Sequence, residues 1–495
     1  MDSNNSKYTY GKVLPRQERN SLVKLNDEKM NIGFIFPNKD RRYKTVHLGL
    51  GYLASYARTV HEDVNFKVLD TRVATRKETR QFFANDFDIL GITVFSPVYY
   101  EVIDIFNRVR NTWPDKPICL GGPYVTTIQE EIFEETPADF AVYGEGEITF
   151  SELIDHLKGN KNPEDIRGLM WKDQEGHIIK NAPRSYLRDL DKLPLPAYDI
   201  FPMGRYPLHR MVTSRGCPYT CSWCNSTSIW ENTYRMRSPE DMINEVEYLV
   251  RHFGKKIFVF GDNSFNVDLK RVDRFCELLL EKDLKIMWSV SIRAEIMTQE
   301  IADKMKKAGC YNVAIGVESA NNHILKQINK SVTIEKITEG IQILKKAGIE
   351  IMSQYVIGSP HETLETVKES IEYAKNSGCD FVNFYTVLPF KGTPQWDYVQ
   401  NHGTLSTTRI HDFHTINPRI VFETPEFSYD ERLEAIRLAR KNGFYSNKDK
   451  KSIWFDFAKD TSQRIQNLLP EQAGELIYLM LKSIYRMRFV KKHNK

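Results

Sequence analysis

The sequence predicts an α/β protein with two successive parallel-sheet domains: an open Rossmann-like sheet, then a partial (β/α)6 barrel of TIM type. A mostly helical C-terminal domain follows. Three observations carry this. Short, nearly continuous apolar runs alternate with helical spacing between residues 30 and 155, the pattern of parallel strands covered on both faces. Between residues 209 and 400 a strand-then-helix unit recurs six times, too few for a closed eight-unit barrel. Between them, residues 156–208 hold a hairpin pattern and a stretch rich in proline and acidic residues, the composition of a connector.

Composition narrows the function classes. The 495 residues are 41% hydrophobic and 27% charged, ordinary for a soluble globular protein. A net charge of +4 gives no electrostatic case for a nucleic-acid partner. Residues 1–29 are polar and charged, unlike a signal peptide, and no apolar run reaches membrane-spanning length. Of seven cysteines, three are clustered and four lie scattered in apolar contexts. That is no disulfide framework, and it fits a reducing cytoplasm.

In the first domain, Met30–Pro37 reads as a strand ending at a proline, and Leu48–Ala57 as a helix. Phe66–Asp70, Asp88–Phe95, Pro117–Gly122 and Phe140–Gly144 are further strands, with a helix over Glu101–Val109. Ligands of such sheets sit at the carboxyl ends of the strands. This rule gathers Pro37, Asp70–Thr71, Thr93 to Tyr99 (with Ser96), Gly121–Gly122 and Gly144–Glu145 around one crevice. No Gly-x-Gly-x-x-Gly follows the first strand, and no Walker A loop exists, so neither a dinucleotide nor a nucleotide triphosphate has its usual cradle. His47 precedes the first helix, as a cap or a cofactor contact, and Cys119 lies mid-strand in the core.

The connector contains Ile166–Trp171 and His177–Lys180, split by a turn sequence, and then Leu193-Pro-Leu-Pro-Ala-Tyr198. Beyond it, His209 to Gly216 forms the first barrel strand. Lys256–Gly261, Ile286–Ile292, Asn312–Gly316, Glu350–Ile357 and Phe381–Leu388 supply the others. Helices are expected over Pro239–Arg251, Asp268–Glu281, Gln299–Lys307, Ile334–Lys346 and Leu364–Lys375. Asp262, Arg293, Glu318 and His361 then fall at or just past strand ends, where a barrel builds its site. Asp262 suits an ammonium, and Arg293 a carboxylate held bidentately. Glu318 follows a mostly apolar strand, where an unpaired carboxylate is costly. From 401 to 430 the pattern is irregular. Glu431–Lys441 and Gln463–Phe489 read as helices, and the basic end Tyr485–His493 either packs on the barrel or meets an anionic lipid surface peripherally.

The chain is organised around Cys217-Pro-Tyr-Thr-Cys221-Ser-Trp-Cys224, on the loop after the first barrel strand. Thiolates are soft ligands suited to iron–sulfur clusters and to zinc. A structural zinc needs four ligands. The next cysteine is Cys276, so zinc would need a remote histidine, whereas a four-iron cluster held by three cysteines leaves one iron open. This C-x3-C-x-Trp-C motif resembles the signature of the radical S-adenosylmethionine (SAM) enzymes. Leu48-Gly-Leu-Gly-Tyr-Leu-Ala, Gly91-Ile-Thr-Val, Gly121-Gly-Pro and Tyr143-Gly-Glu-Gly-Glu147 are similar to the N-terminal domain of the cobalamin-dependent members, in which they surround the corrinoid. One departure is the lack of Asp-x-His-x-x-Gly, the motif whose histidine binds cobalt in other cobalamin proteins; many members of this family also lack it.

The resemblance implies three cofactors: a 4Fe–4S cluster on Cys217, Cys221 and Cys224, SAM at its open iron, and cobalamin. It implies that Trp223, Asp262, Arg293 and Glu318 line the SAM site, and that Gly358-Ser-Pro-His-Glu-Thr363 lies near the adenine, with His361 where the family commonly has glycine. It places Pro37, Thr93, Ser96, Gly121, Gly122, Gly144 and Glu145 around the corrinoid. No protein side chain is assigned as a catalytic nucleophile. The implied activity is C-methylation of an unactivated carbon through a 5′-deoxyadenosyl radical and methylcobalamin. Cyclisation or rearrangement without methyl transfer, or a SAM-only oxidoreductase whose first domain no longer binds cobalamin, remain open alternatives. The implied partners are a small-molecule or peptide substrate and an external one-electron reductant of flavodoxin or ferredoxin type. A nucleic-acid substrate is disfavoured, because the additional cysteines and RNA-binding module of the related methylthiotransferases are not evident.

Overall fold

A mostly parallel sheet and a wholly parallel one, both covered by helices, account for most of the computed structural model. It describes residues 29–38, 44–407 and 420–444. The first sheet has strands β1 (Met30–Phe36), β2 (Val64–Asp70), β3 (Ile89–Thr93), β4 (Ile118–Gly121) and β5 (Phe140–Val142), all parallel. Helices α1 (Leu48–Val60), α2 (Arg76–Phe83), α3 (Tyr99–Thr112), α4 (Pro123–Ile128), the short α5 (Ile132–Glu135) and α6 (Glu147–Leu157) connect and follow them. Strands β1 and β3 are almost wholly buried, which is why their sequences are apolar at successive positions rather than alternating. The helix α2 has few apolar residues, and a Thr75/Glu78 capping box marks its start. The hairpin expected in the connector adds β6 (Leu169–Lys172) and β7 (Ile178–Lys180) antiparallel to the free edge of β5, giving the order β2-β1-β3-β4-β5-β6-β7. That covers an otherwise open edge. The order in which strands are added reverses between β1 and β3, all of them still parallel, so the binding crevice lies at their carboxyl ends.

The second sheet has the order β15-β14-β13-β12-β11-β8 and is parallel throughout, an open six-stranded barrel as expected. In chain order it begins with β8 (His209–Met211). The small pair β9 (Ser214–Gly216) and β10 (Tyr234–Met236) then brackets the cysteine loop and α7 (Ser226–Trp230). The repeating units follow as α8 (Pro239–Phe253), β11 (Ile257–Phe260), α9 (Leu269–Glu281), β12 (Met287–Ile292), α10 (Gln299–Lys307) and β13 (Cys310–Glu318). Next come α11 (Asn322–Gln327), α12 (Ile334–Lys346), β14 (Glu350–Ile357), α13 (Leu364–Asn376) and β15 (Phe381–Thr386). After the barrel come α14 (Pro394–His402), the short pair β16 (Thr404–Leu405) and β17 (Phe422–Glu423), and α15 (Tyr429–Lys441), whose Ser428/Glu431 capping box sets its start. The tail before residue 29, His411, His414, the helix expected over Gln463–Phe489 and the basic segment Tyr485–His493 lie outside the described residues.

The barrel strands alternate in one informative respect. Phe258, Phe260, Trp288, Val290, Val313, Ile315 and Ile351 are buried under the helices. Their neighbours Val259, Ser289, Ser291, Asn312, Ala314, Met352 and Gln354 are only half-buried, because they face an open lumen. Most of those lumen positions are polar. Such a barrel holds space for a ligand instead of a packed interior.

Candidate active site

The cysteine loop is anchored from both ends. Gly216, at φ 84°, turns the chain out of β9, and its backbone runs against the Thr233 carbonyl so closely that any Cβ would collide with it. Ser222 donates its backbone N–H to the Ile328 carbonyl (2.9 Å) and accepts from the Gln395 N–H (3.0 Å). Asn263 Nδ2 donates to the Gly216 carbonyl (3.3 Å) and to Ser226 Oγ (3.0 Å). All three cysteines are half-buried, and burial pushes the Cys224 thiol up to about 12 and raises Cys221 as well. Thiolates here therefore need compensating positive charge, as from a bound metal. The thiol set, with its open neighbourhood and no fourth cysteine on the loop, fits a cluster held at three corners.

Around this loop the strand ends bring the expected polar residues together, with one that the sequence did not single out. Glu318 pairs with Lys330 at 3.0 Å, and both side chains are under a tenth exposed. Glu318 sits at φ 67°, where the register between β13 and β14 shifts. Burial opposes the Lys330 charge, but Glu318 and the nearby Cys221 hold its pKa above the usual value. Arg293 donates to the Lys330 carbonyl (2.6 Å), pairs with Glu295 and lies 3.9 Å from the Tyr219 ring centroid, inside the cysteine loop. Lys330 follows a short helix in a stretch with no strand pattern. No sequence signal marked it; in the structure it stands between Asn329 and Ser331, both at positive φ.

Asp262 is buried at the end of β11. Its Oδ1 accepts from the Thr213 N–H (3.1 Å), from Thr213 Oγ1 (2.9 Å) and from the Ser214 hydroxyl, while Oδ2 has no partner. The carboxylate thus ties β11 to the approach of the cysteine loop and leaves one acceptor for a donor not present. Trp223 packs against both hydrophobic cores with its indole N–H buried and unpartnered. His361 is exposed at φ 61° in the left-handed region, which explains why a glycine suits that position.

The first sheet presents its crevice at the ends of β1 and β3. His47 caps α1: its Nδ1 accepts the Leu50 N–H (3.1 Å), and Nε2 lies 3.4 Å from Thr93 Oγ1. Burial lowers its pKa to about 4, so the ring is neutral, packed against Phe36 and Phe95. Since Nδ1 accepts, the neutral ring carries its proton on Nε2. Pro37 is buried and Ser96 half-buried at the same edge, and Gly121–Gly122 form the turn into α4. At Gly144 nothing lies within 4 Å of where a Cβ would stand, so the backbone there is open. Glu145 is committed elsewhere: it pairs with Arg215 (2.6 Å) and Arg235 (2.9 Å), while Glu147 takes the other Arg215 nitrogen (2.6 Å). Arg215 is two residues before Cys217, so this buried clamp joins the cysteine loop directly to the first sheet.

Comparison with known proteins agrees with this two-part site. Residues 39–154 match the B12 binding domain, and residues 211–374 match the radical SAM superfamily. An uncharacterised methyltransferase of Pyrococcus horikoshii is 32% identical over 404 residues, spanning 79% of this chain and 86% of that protein. An anaerobic magnesium-protoporphyrin IX monomethyl ester cyclase of Rubrivivax gelatinosus is 28% identical, covering 84% of this chain and 76% of its own length. In fold, the chain is similar to the radical SAM methyltransferase TsrM of Kitasatospora setae with cobalamin and a 4Fe–4S cluster bound. The TM-score is 0.71 at 16% identity, over 92% of this chain and 99% of that one. A three-cysteine loop at the mouth of an open parallel barrel defines the class as radical SAM. With its B12-type sheet, the chain belongs to the cobalamin-dependent radical SAM enzymes, whose cofactors are a 4Fe–4S cluster, SAM and cobalamin.

Proposed function

We propose that the protein is a methyltransferase that places a methyl group on an unactivated carbon of a substrate bound in the barrel lumen. The observation that carries this reading is the clamp of Arg215 on Glu145 and Glu147, which holds the cysteine loop against the crevice of the B12-type sheet. A substrate between the two is within reach of both. When bound, the cluster with SAM supplies a carbon-centred radical that removes hydrogen, and the corrinoid supplies the methyl group. The chain's own residues position and shield. Cys217, Cys221 and Cys224 hold the cluster, with Lys330 and Arg293 as nearby countercharge. Asp262 Oδ2 accepts from the SAM ammonium, Glu318 and Lys330 offer a paired acceptor and donor to its polar end, and Trp223 covers the adenosyl side. Pro37, Thr93, Ser96, Gly121, Gly122 and Gly144 border the corrinoid, while Glu145 holds that border to the barrel. His47, held between the Leu50 N–H and Thr93, would border the same crevice. The relation to a cyclase at 28% identity supports a second reading, ring formation without methyl transfer.

The test is product analysis on anaerobically reconstituted enzyme supplied with a low-potential one-electron donor of flavodoxin or ferredoxin type. Methyl transfer produces S-adenosylhomocysteine only when hydroxocobalamin has been added. Formation of 5′-deoxyadenosine with no S-adenosylhomocysteine, in protein holding about one corrinoid per chain, would favour the cyclase reading.

A further inference from the structure

Arg210 is the one barrel-strand cation with no structural employment among the described residues. It is the middle residue of β8, and its neighbours His209 and Met211 face outward into the core. Alternation therefore sends Arg210 into the lumen, opposite Val259 in register. Its guanidinium lies across Gly261, where any Cβ would collide with Nε and Nη2. The guanidinium therefore lies against the backbone just past β11, at the strand ends where the barrel opens. Arg210 makes no hydrogen bond or ion pair among the described residues and is exposed. Yet desolvation by surrounding protein lowers its pKa, although Asp262 acts the other way. An exposed group that is also desolvated stands in a deep opening. Its charge is felt by His47 of the first sheet, and Asp262 of the barrel acts on it in turn.

An arginine without a hydrogen-bond or ion-pair partner on the wall of a polar lumen keeps its whole fork available to a ligand. Around it in register are Ser289 and Asn312, which offer hydrogen-bonding groups, while Asp262 acts on its charge without pairing with it. The lumen position and the missing partner have one shared explanation. We propose that Arg210 is the substrate anchor, and that the substrate carries an oxyanion, a carboxylate or a phosphate, which the guanidinium holds bidentately. This deepens the methyltransferase reading and rests on it for the lumen being the substrate site. Anchoring one end by a fixed fork would orient the reacting carbon between the two mouths.

The test labels arginines of the cluster- and hydroxocobalamin-loaded full chain with phenylglyoxal and follows Arg210 by peptide mass spectrometry, with Arg274 on the outer face of α9 as the control. Inorganic phosphate and acetate are the two probes. With the effective anion at about ten times its Kd, Arg210 labelling falls about tenfold by mass action, while Arg274 is unaffected. Protection by phosphate marks a phosphorylated substrate, and protection by acetate a carboxylic acid. The lysine variant R210K keeps the charge but loses the fork, and in calorimetric titration it binds the protecting anion roughly 10-fold more weakly than the unsubstituted chain. Protection by neither anion overturns the proposal, as does loss of labelling on adding SAM alone, or weaker labelling of the loaded chain than of the same chain without hydroxocobalamin, either of which would assign Arg210 to a cofactor. S-adenosylhomocysteine formation, measured on the same preparation, keeps the two readings apart: anion protection without it leaves the anchor standing and removes methyl transfer.

Discussion

At the scale of single residues, buried charge decides most outcomes. Glu318 and Lys330 satisfy each other beside the cysteines, so removing one partner leaves the other desolvated and alone. Lys330→Met is expected to lower stability by about 3–5 kcal/mol, read as a drop in Tm, and to weaken SAM binding. The Glu362 carboxyl behaves differently. Burial raises its pKa from 4.5 to about 7, against the Gly358 and Ser359 N–H groups and Arg432, which lower it. Because the folded pKa lies above the unfolded one, its contribution to stability is fully present below about pH 4.5 and lost as pH rises through 7. Thermal unfolding between pH 5 and pH 8 should therefore show a decline worth up to about 3 kcal/mol that Glu362→Gln flattens. An unchanged slope in that variant would assign the pH dependence to other groups.

At the scale of elements, the cysteine loop depends on how β9 ends. Gly216 has φ 84° and no room for a side chain against the Thr233 carbonyl. Gly216→Ala should cost at least ~1–2 kcal/mol in backbone strain alone and displace the loop, so that iron content after reconstitution falls more than Tm does. The elements themselves were largely legible. The strand Glu350–Ile357 and the helices Gln299–Lys307 and Ile334–Lys346 have the expected bounds, because buried parallel strands and amphipathic helices write their periods directly into the chain. Of the missed elements, α11 and the β9–β10 pair are short and carry too few residues to show a period, whereas α6 (Glu147–Leu157), with eleven residues, was overlooked despite its buried face. Lys330 was missed because it belongs to no periodic segment.

At the scale of the whole molecule, the two sheets are coupled through Arg215, Arg235, Glu145 and Glu147. Burial works against the Arg215 charge, yet Glu147 and Glu145 hold its pKa well above the usual range, so the clamp stays ionised. Arg215→Gln leaves two carboxylates short of a partner and is expected to split a single calorimetric transition into two and to reduce corrinoid retention, with an intact cluster spectrum. Among the described residues, no helix is long and apolar enough to cross a membrane. The motif Cys217-x3-Cys221-x2-Cys224, the order of the two α/β domains and the glycine-rich segments around the crevice were set by local sequence alone, because ligand spacing and strand periodicity are short-range properties. Only the tertiary structure decided that Glu145 is spent on a clamp, that Lys330 neutralises Glu318, and that Arg210 faces the lumen without a partner. Those facts depend on which distant side chains share a desolvated space, and that is settled by how the sheets pack.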